Sequence, residues 1–338
     1  MGISPVAAYQ ALLAGSVGSK NAIGETLVKA APLMLTGLSF AVAFRCGLVN
    51  IGGEGQLYMG ALAATCAGVF VKGLPTAIHL PLAVAAGFSG GGLWGLIPGW
   101  LKTRFGANEI ITTVMLNYVA IYFVSYLVTG PLKAPPGSSP HTEPVAASAV
   151  LPRILPGTRL HLGFIVAVAA VVFYYVFLWK TREGFELRVV GQNPGAARYA
   201  GMRPASSMML AMFVAGGMAG VAGAGEILGI QQRLMQAFSP GYGFDGIAVA
   251  LLGLTTPAGI ALAAVLFGIL RSGGNMMQMM VGVPIALINV IQALVILMVV
   301  AQIASRPGGR ERLRTLLRQT WKGLAAGTRP AQGGGPRG

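Results

Sequence analysis

Four carboxylates stand in or beside apolar stretches of this sequence: Glu54, Glu109, Glu226 and Asp245. An ionised side chain is costly at bilayer depth. Where one is kept, it faces protein or water and marks a pathway, a relay or a structural tie. Glu54 sits in Arg45-Cys46-Gly47-Leu48-Val49-Asn50-Ile51-Gly52-Gly53-Glu54-Gly55-Gln56, where four glycines within residues 47–55 interrupt any helix. Broken backbone survives in a membrane only inside protein or beside a water-filled cavity, and such breaks commonly form solute sites. Two readings of Glu54 stand side by side: a group in a cavity or hinge, and a cap on the helix that begins near Gln56.

A second polar site runs from Asn108 to Tyr118. Asn108 suits an N-cap, and Glu109 suits the positive end of the helix dipole. Thr113 and Asn117 lie one turn apart on one face, and Asn289 and Gln292 form a similar pair further on. Such faces bind an uncharged, hydrogen-bonding solute as readily as they hold helices together. The candidate solute-path residues are therefore Asn50, Glu54, Gln56, Thr113, Asn117, Asn289 and Gln292. No pair of buried charges points to proton or sodium coupling.

Covalent chemistry finds little footing. There is no Gly-Lys dipeptide and hence no phosphate-binding Walker loop, no H-E-x-x-H and no G-x-S-x-G. Gly241-Tyr-Gly243-Phe-Asp-Gly246 matches G-x-G-x-x-G but lacks the surrounding βαβ unit. Phe88-Ser-Gly-Gly-Gly92 resembles a nucleotide-cassette signature loop, yet it lies in an apolar window and reads as helix packing. With three scattered histidines and two cysteines, no metal site is expected, nor any cofactor or enzymatic activity.

The elements that position these residues follow from composition. The chain has 338 residues, 54% hydrophobic and 10% charged, with a mean hydropathy of +0.70. Soluble domains carry roughly a quarter charged residues, and disorder requires low hydrophobicity. An all-α polytopic membrane protein remains, because the apolar runs are continuous rather than alternating. The windows are 27–44, 56–71, 77–100, 110–128, 162–179, 206–224, 246–270 and 285–303. That gives about eight crossings, with a range of six to ten. The 246–270 window contains Thr255-Thr256-Pro257 and can be two half-helices, and 226–244 can re-enter. Gly87, Gly91, Gly95 and Gly99, with Gly216, Gly220 and Ala224, supply close-packing faces. Residues 5–17 are too short to span, and no basic leader precedes an apolar run. Cys46 and Cys66 are expected near opposite ends of one helical segment, unpaired.

The net charge of +15 orients the chain rather than pointing to nucleic acid. Lys180, Arg182, Arg188, Arg198 and Arg203 mark the 180–205 connection, Lys102 and Arg104 another, and eight basic residues the tail after 304. All three are placed in the cytoplasm. The Pro-rich 129–161 connection, with His141, Glu143 and His161, is placed outside. Residues 1–305 thus form the membrane domain. The basic, Gly/Pro-rich 306–338 is a cytoplasmic tail whose 310–324 part suits anionic lipid. Within 180–205, Asn193 can cap, Pro194 fits the first helical position and Gly201 the residue beyond the end. This predicts a short helix, Pro194–Ala200, too short to stand alone and so held by packing or by a partner.

Ala43–Gln56, Asn108–Asn117 and Ser239–Gly253 together resemble the permease subunits of ribose/branched-chain amino acid type ABC importers, nearest the nucleoside and simple-sugar branch. The Val190–Gly201 segment looks like that family's ATPase-coupling loop, and the likeness runs over about residues 5–305. One departure is that the branch carries an extra apolar helix before the segment resembling Pro5–Ser19. Either the true start lies upstream or this chain lacks that helix, and in the second case the amino terminus is expected outside. The resemblance implies import of a nucleoside or simple sugar across a bacterial inner membrane. It also implies a second permease chain, separate ABC ATPase subunits that hydrolyse ATP, and a solute-binding lipoprotein or periplasmic protein. Gly191, Asn193, Pro194, Ala196, Ala197, Arg198 and Gly201 would form the ATPase contact. The competing reading is an ion-coupled secondary transporter or channel for a small polar solute.

Overall fold

A computed structural model describes residues 5–135 and 139–284, and a few positions between 286 and 298. The chain groups into two units, Met1–Val290 and Ile291–Gly338. Most of the 285–303 window, Asn289 and the whole 306–338 tail lie outside the described residues. The first unit contains eleven α-helices among the described residues: α1 (Pro5–Val17), α2 (Lys20–Arg45), α3 (Gly53–Phe70), α4 (Thr76–Phe105), α5 (Glu109–Thr129), α6 (Gly163–Lys180), α7 (Arg182–Gln192), α8 (Pro194–Tyr199), α9 (Pro204–Glu226), α10 (Tyr242–Leu252) and α11 (Pro257–Val281). Six of them are long and apolar enough to cross a bilayer. Among the described residues the β-structure consists of two isolated bridges.

Small residues set the core. Helices α4 and α9 lie so close that a Cβ on Gly91 would strike the Gly216 carbonyl, and one on Gly220 the Gly87 carbonyl. A Cβ on Gly60 of α3 would meet the Gly220 backbone. Three helices therefore touch backbone to backbone, where van der Waals contact replaces the hydrophobic drive that lipid removes. The Gly87–Gly99 ladder is thus a packing seam, and the Phe88–Gly92 lookalike is part of it. Phe88 covers Gly217, and Phe213 covers Gly92.

The basic connections gather at one end. Arg45, closing α2, donates to the Thr255 carbonyl at 3.1 Å and lies 5.5 Å from the Trp179 ring at the end of α6. Lys102 pairs with Glu109 at 2.8 Å across the α4–α5 turn. Gly99 and Gly95 of α4 pack on Met212 in the first half of α9. At the opposite end, the 130–162 connection lies across the exit of α9. Thr142 N–H donates to the Leu234 carbonyl, Val145 to Gln232 and Leu151 to Leu228.

One expectation is corrected here. Cys46 is the residue that ends α2, while Cys66 lies in α3. They belong to different helices because Gly47, at φ +79°, stops the first one. The 246–270 window is two helices, as its Thr255-Thr256-Pro257 run allowed. It breaks at Gly253–Thr256, where Leu254 and Thr255 both adopt φ of 52° and Thr256 caps α11 with Pro257 at its first position. After α9, residues 227–231 form a π-turn. The chain then returns through residues 232–241 to α10, whose end is tied to Arg45 at the basic end.

Candidate functional site

The first turn of α10 begins inside the bundle. Tyr242 and Gly243 are buried, and the N-cap residue, Gly241 at φ +91°, offers no side chain. The exposed N–H groups of such a turn need acceptors, and its dipole favours an anion. Glu54 supplies both: its Oε2 accepts from Gly243 N–H at 2.7 Å, with Ser239 beside the same carboxylate. Glu54 does not cap its own helix, whose N-cap is Gly52 with no side-chain cap. It is a cap, but on a helix 189 residues away rather than on its own. From α2, Thr36 Oγ1 donates to the Tyr242 carbonyl at 3.0 Å. Only glycine fits at 243, since a Cβ there would strike the Glu54 backbone.

The turn before α3 is held from the other side. Asn50 Oδ1 accepts from Gly52 N–H at 2.9 Å, and Asn50 Nδ2 donates to Gln56 Oε1 at 3.0 Å. Asn117 of α5 accepts from Gly55 N–H at 2.8 Å and donates to the Ile51 carbonyl at 2.9 Å. Thr113 Oγ1 accepts from Ile51 N–H at 3.3 Å. Asn50, Glu54, Gln56, Thr113 and Asn117 are thus brought together in one buried network. Their polar atoms serve the broken backbone first, binding α3, α5 and α10 into one joint. Gln292 belongs to the second unit.

Arg271 completes this joint, and it was not singled out from the sequence. Its guanidinium pairs with Asp245 and lies 4.8 Å from the Tyr242 ring, so α11 closes over the first turn of α10. The pair is half-buried, with about a fifth of the arginine and a third of the aspartate side chain still accessible. A lone arginine in an apolar glycine-rich helix was the available signal.

Glu226, at the end of α9, lies close enough to Tyr242 and Arg271 to interact with both electrostatically. It lines a cavity of about 20 Å³ between α2, α4, α6 and α9, shared with His161, which is room for about one water. His161 Nδ1 accepts from Gly163 N–H at 3.1 Å, and its ring fills the space over Gly229 in the π-turn. Burial, reinforced by the Arg159 charge, pushes the His161 pKa down to about 4.

At the basic end, Asn193 Oδ1 accepts from Gly195 and Ala196 N–H at 2.9 and 3.0 Å. Pro194 opens α8 and Gly201 follows it at φ +78°, all as expected. The helix ends at Tyr199, one residue early, with Ala200 as its cap. Ala197 is its buried anchor, whereas Ala196 and Arg198 are exposed and Tyr199 is 97% exposed. Gly191 faces inward, where a Cβ would strike the Arg45 carbonyl. It therefore seats α7 on the end of α2.

Among the described residues, no three His, Cys, Asp or Glu side chains are grouped to hold a metal ion. A bundle of membrane-length helices around a buried half-helix, with a capped surface helix at its basic end, defines a polytopic membrane transport subunit. Residues 22–300 match the family described as the permease component of branched-chain amino acid transport systems, and the chain belongs to that family. It is 42% identical to the guanosine ABC transporter permease protein NupP of Bacillus subtilis, over 90% of this chain and 88% of that one. It is 41% identical to the glucose ABC transporter permease protein TsgB13 of Haloferax volcanii, over 89% and 81%. With the nucleoside ABC transporter permease protein NupB of Lactococcus lactis the identity is 36%, over 87% and 83%. No solved structure matches the chain significantly.

Proposed function

We propose that this chain is a permease subunit of an ATP-driven ABC importer in a bacterial plasma membrane, carrying a nucleoside or a related simple sugar into the cytoplasm. The observation that carries the coupling half of this reading is α8. A helix of six residues is unstable alone, yet this one is capped at both ends, anchored by Ala197 and turned outward through Tyr199. Such a knob suits a groove on a separate ATPase subunit. The substrate half rests on the relatives, two of which are named for nucleosides and one for glucose.

In this reading the full assembly holds a second permease, ABC ATPase subunits below and a solute-binding lipoprotein or periplasmic protein above. Movement of α8 reaches the core through α7, because Gly191 rests on Arg45 and Gly47. From there Arg45 contacts the residues that join α10 to α11. The Glu54 joint is then the far end of a mechanical chain, and the Asn50, Gln56, Thr113 and Asn117 network keeps the neighbouring backbone in register. Co-purification tests the reading: the ATPase stays with the wild-type permease and is lost from Tyr199→Asp. Retention of the ATPase in that variant would remove α8 as its docking element.

The secondary-transporter reading draws on the Asp245–Arg271 pair beside Glu54. That pair is already matched in charge and stacked on Tyr242, an arrangement suited to closing a joint.

A further inference from the structure

Helix α5 has two faces of different kinds. Thr113, Asn117, Ala120, Val124 and Val128 are buried in the bundle. On the other side, Tyr118, Tyr122 and Tyr126 follow one another every fourth residue, 52%, 70% and 64% exposed. None of the three hydroxyls has a partner among the described residues.

Position along the helix makes this unusual. Tyrosines belong to the headgroup belts, where the hydroxyl meets water. Tyr126 sits within one turn of the end of α5 and fits a belt. Tyr118 is nine residues from one end and eleven from the other, or about 14 and 16 Å at 1.5 Å per residue. That is the middle of a hydrocarbon layer about 30 Å thick. Tyr122 is about 10 Å from the nearer end. A phenol hydroxyl facing lipid tails at that depth has no hydrogen-bond partner, which is unfavourable.

Helix α6 gives the comparison. Its long apolar span is as little buried as that of α5, yet its exposed mid-span residues are Ile165, Val168, Val172, Phe173 and Val176. Its exposed Tyr175 lies near Lys180, at the belt. Helix α5 also exposes Ile111, Met115, Val119 and Phe123, but it adds to them tyrosine hydroxyls at mid-span, where the exposed side chains of α6 are apolar.

The loop from the central joint reaches the same face. Gln236 Nε2 donates to Ser125 Oγ at 2.8 Å, and Phe238, two residues on, packs at a tilt against Tyr58 of α3, 4.6 Å between centroids. The segment that leads into the Glu54 clamp therefore rests on the outer end of the tyrosine face.

We infer that the Tyr118–Tyr122–Tyr126 face of α5 lines the water-filled solute path and forms a stacking site for the face of an uncharged ring, the flat π-face of a nucleobase or the C–H face of a sugar. Aromatic rings stack on either without selecting its edge, and the phenols supply hydrogen bonds at a depth otherwise lacking them. This deepens the importer reading and rests on it.

The test uses the whole complex in membranes, with Cys46 and Cys66 replaced by alanine and single cysteines placed by Tyr118→Cys, Tyr122→Cys, Val168→Cys and Val172→Cys. The probe is a cationic, membrane-impermeant methanethiosulfonate, which reacts with thiolate in water. The expected result is labelling at 118 and 122 at least about tenfold faster than at 168 and 172, because thiolate forms only where water reaches. Saturating guanosine or glucose should slow it. Equal, slow labelling at all four positions overturns the inference, as does disulfide crosslinking of 122 to a second permease without labelling.

Uptake gives the second readout. Tyr118→Leu/Tyr122→Leu should raise KM about tenfold while the Phe pair stays near wild type, the size expected for lost ring stacking. An unchanged KM in the Leu pair overturns the stacking site and leaves the importer reading intact. If the wild-type complex carries neither solute but 118 and 122 are labelled, the substrate reading fails and the wet face stands.

Discussion

Glu54 and Gly243 are 189 residues apart in sequence and 2.7 Å apart in space, with the carboxylate of α3 accepting from the first turn of α10. That contact converts two breaks in the helical pattern into one joint. The glycine run before α3 frees its backbone to approach, and the Gly241–Gly243 turn lets α10 start inside the bundle. Thr36 from α2 and Arg271 from α11 reach the same turn, so four helices meet there.

Removing the carboxylate should loosen the joint. A hydrogen bond to a charged group contributes about 1.5–3 kcal/mol, and a carboxylate at a helix N-terminus adds a dipole term of similar or smaller size. Glu54→Ala should lower the melting temperature of the detergent-solubilised complex and abolish uptake. Glu54→Gln keeps an acceptor and should lose roughly half as much stability. Equal melting temperatures for all three proteins would show that the contact is not structural.

The packing seam makes a sharper contrast. Gly220→Leu drives side-chain atoms into the Gly87 carbonyl, an overpacking cost of about 1–3 kcal/mol or more. Gly225→Ala, five residues on, meets nothing within 4 Å and should be neutral or slightly stabilising. Membrane levels of fluorescent-protein fusions, followed by thermal unfolding, check both.

At the basic end, Ala196→Glu and Tyr199→Asp change only exposed positions of α8. They should leave permease folding and binding-protein affinity unchanged while weakening ATPase docking and lowering uptake by about tenfold or more, since a like-sized loss of contact energy is typical of an interface anchor. Gly191→Asp should instead lower the amount of folded protein, because that position is filled by the Arg45 backbone. Parallel ATPase and uptake assays separate the two classes.

His161 ties stability to pH. Its folded pKa of about 4 lies below the usual 6.5, so the unfolded chain binds the proton more readily between those values. Its contribution is fully present above about pH 6.5 and is lost as pH falls toward 4, up to about 3 kcal/mol for a shift of that size. Wild-type melting temperature should fall more steeply from pH 7 to 4.5 than that of His161→Gln. Parallel curves would contradict the buried, neutral imidazole.

Local features were legible before any coordinates. The Asn108 and Asn193 caps form as expected because a cap is decided within four residues. The continuous apolar runs located the long helices for the same reason. Partnerships were not legible. Nothing near Glu54 names Gly243, and nothing near Arg271 names Tyr242, because those pairs depend on how helices cross. The end of α2 was legible as well, since the 27–44 window stops one residue short of Arg45 and the glycines after it break the helix. The tyrosines of α5 are visible as a period of four, but their outward direction required knowing which face Asn117 buries.

The most direct test of the account is ATP-driven uptake. Proteoliposomes would hold this permease with its partner permease and ATPase, and the binding protein would be loaded with guanosine or glucose outside. Solute should accumulate when ATP is inside, without any ion gradient, and accumulation should stop when the ATPase cannot hydrolyse ATP. Accumulation by the purified chain alone, driven by a proton or sodium gradient and indifferent to ATP, would contradict the account.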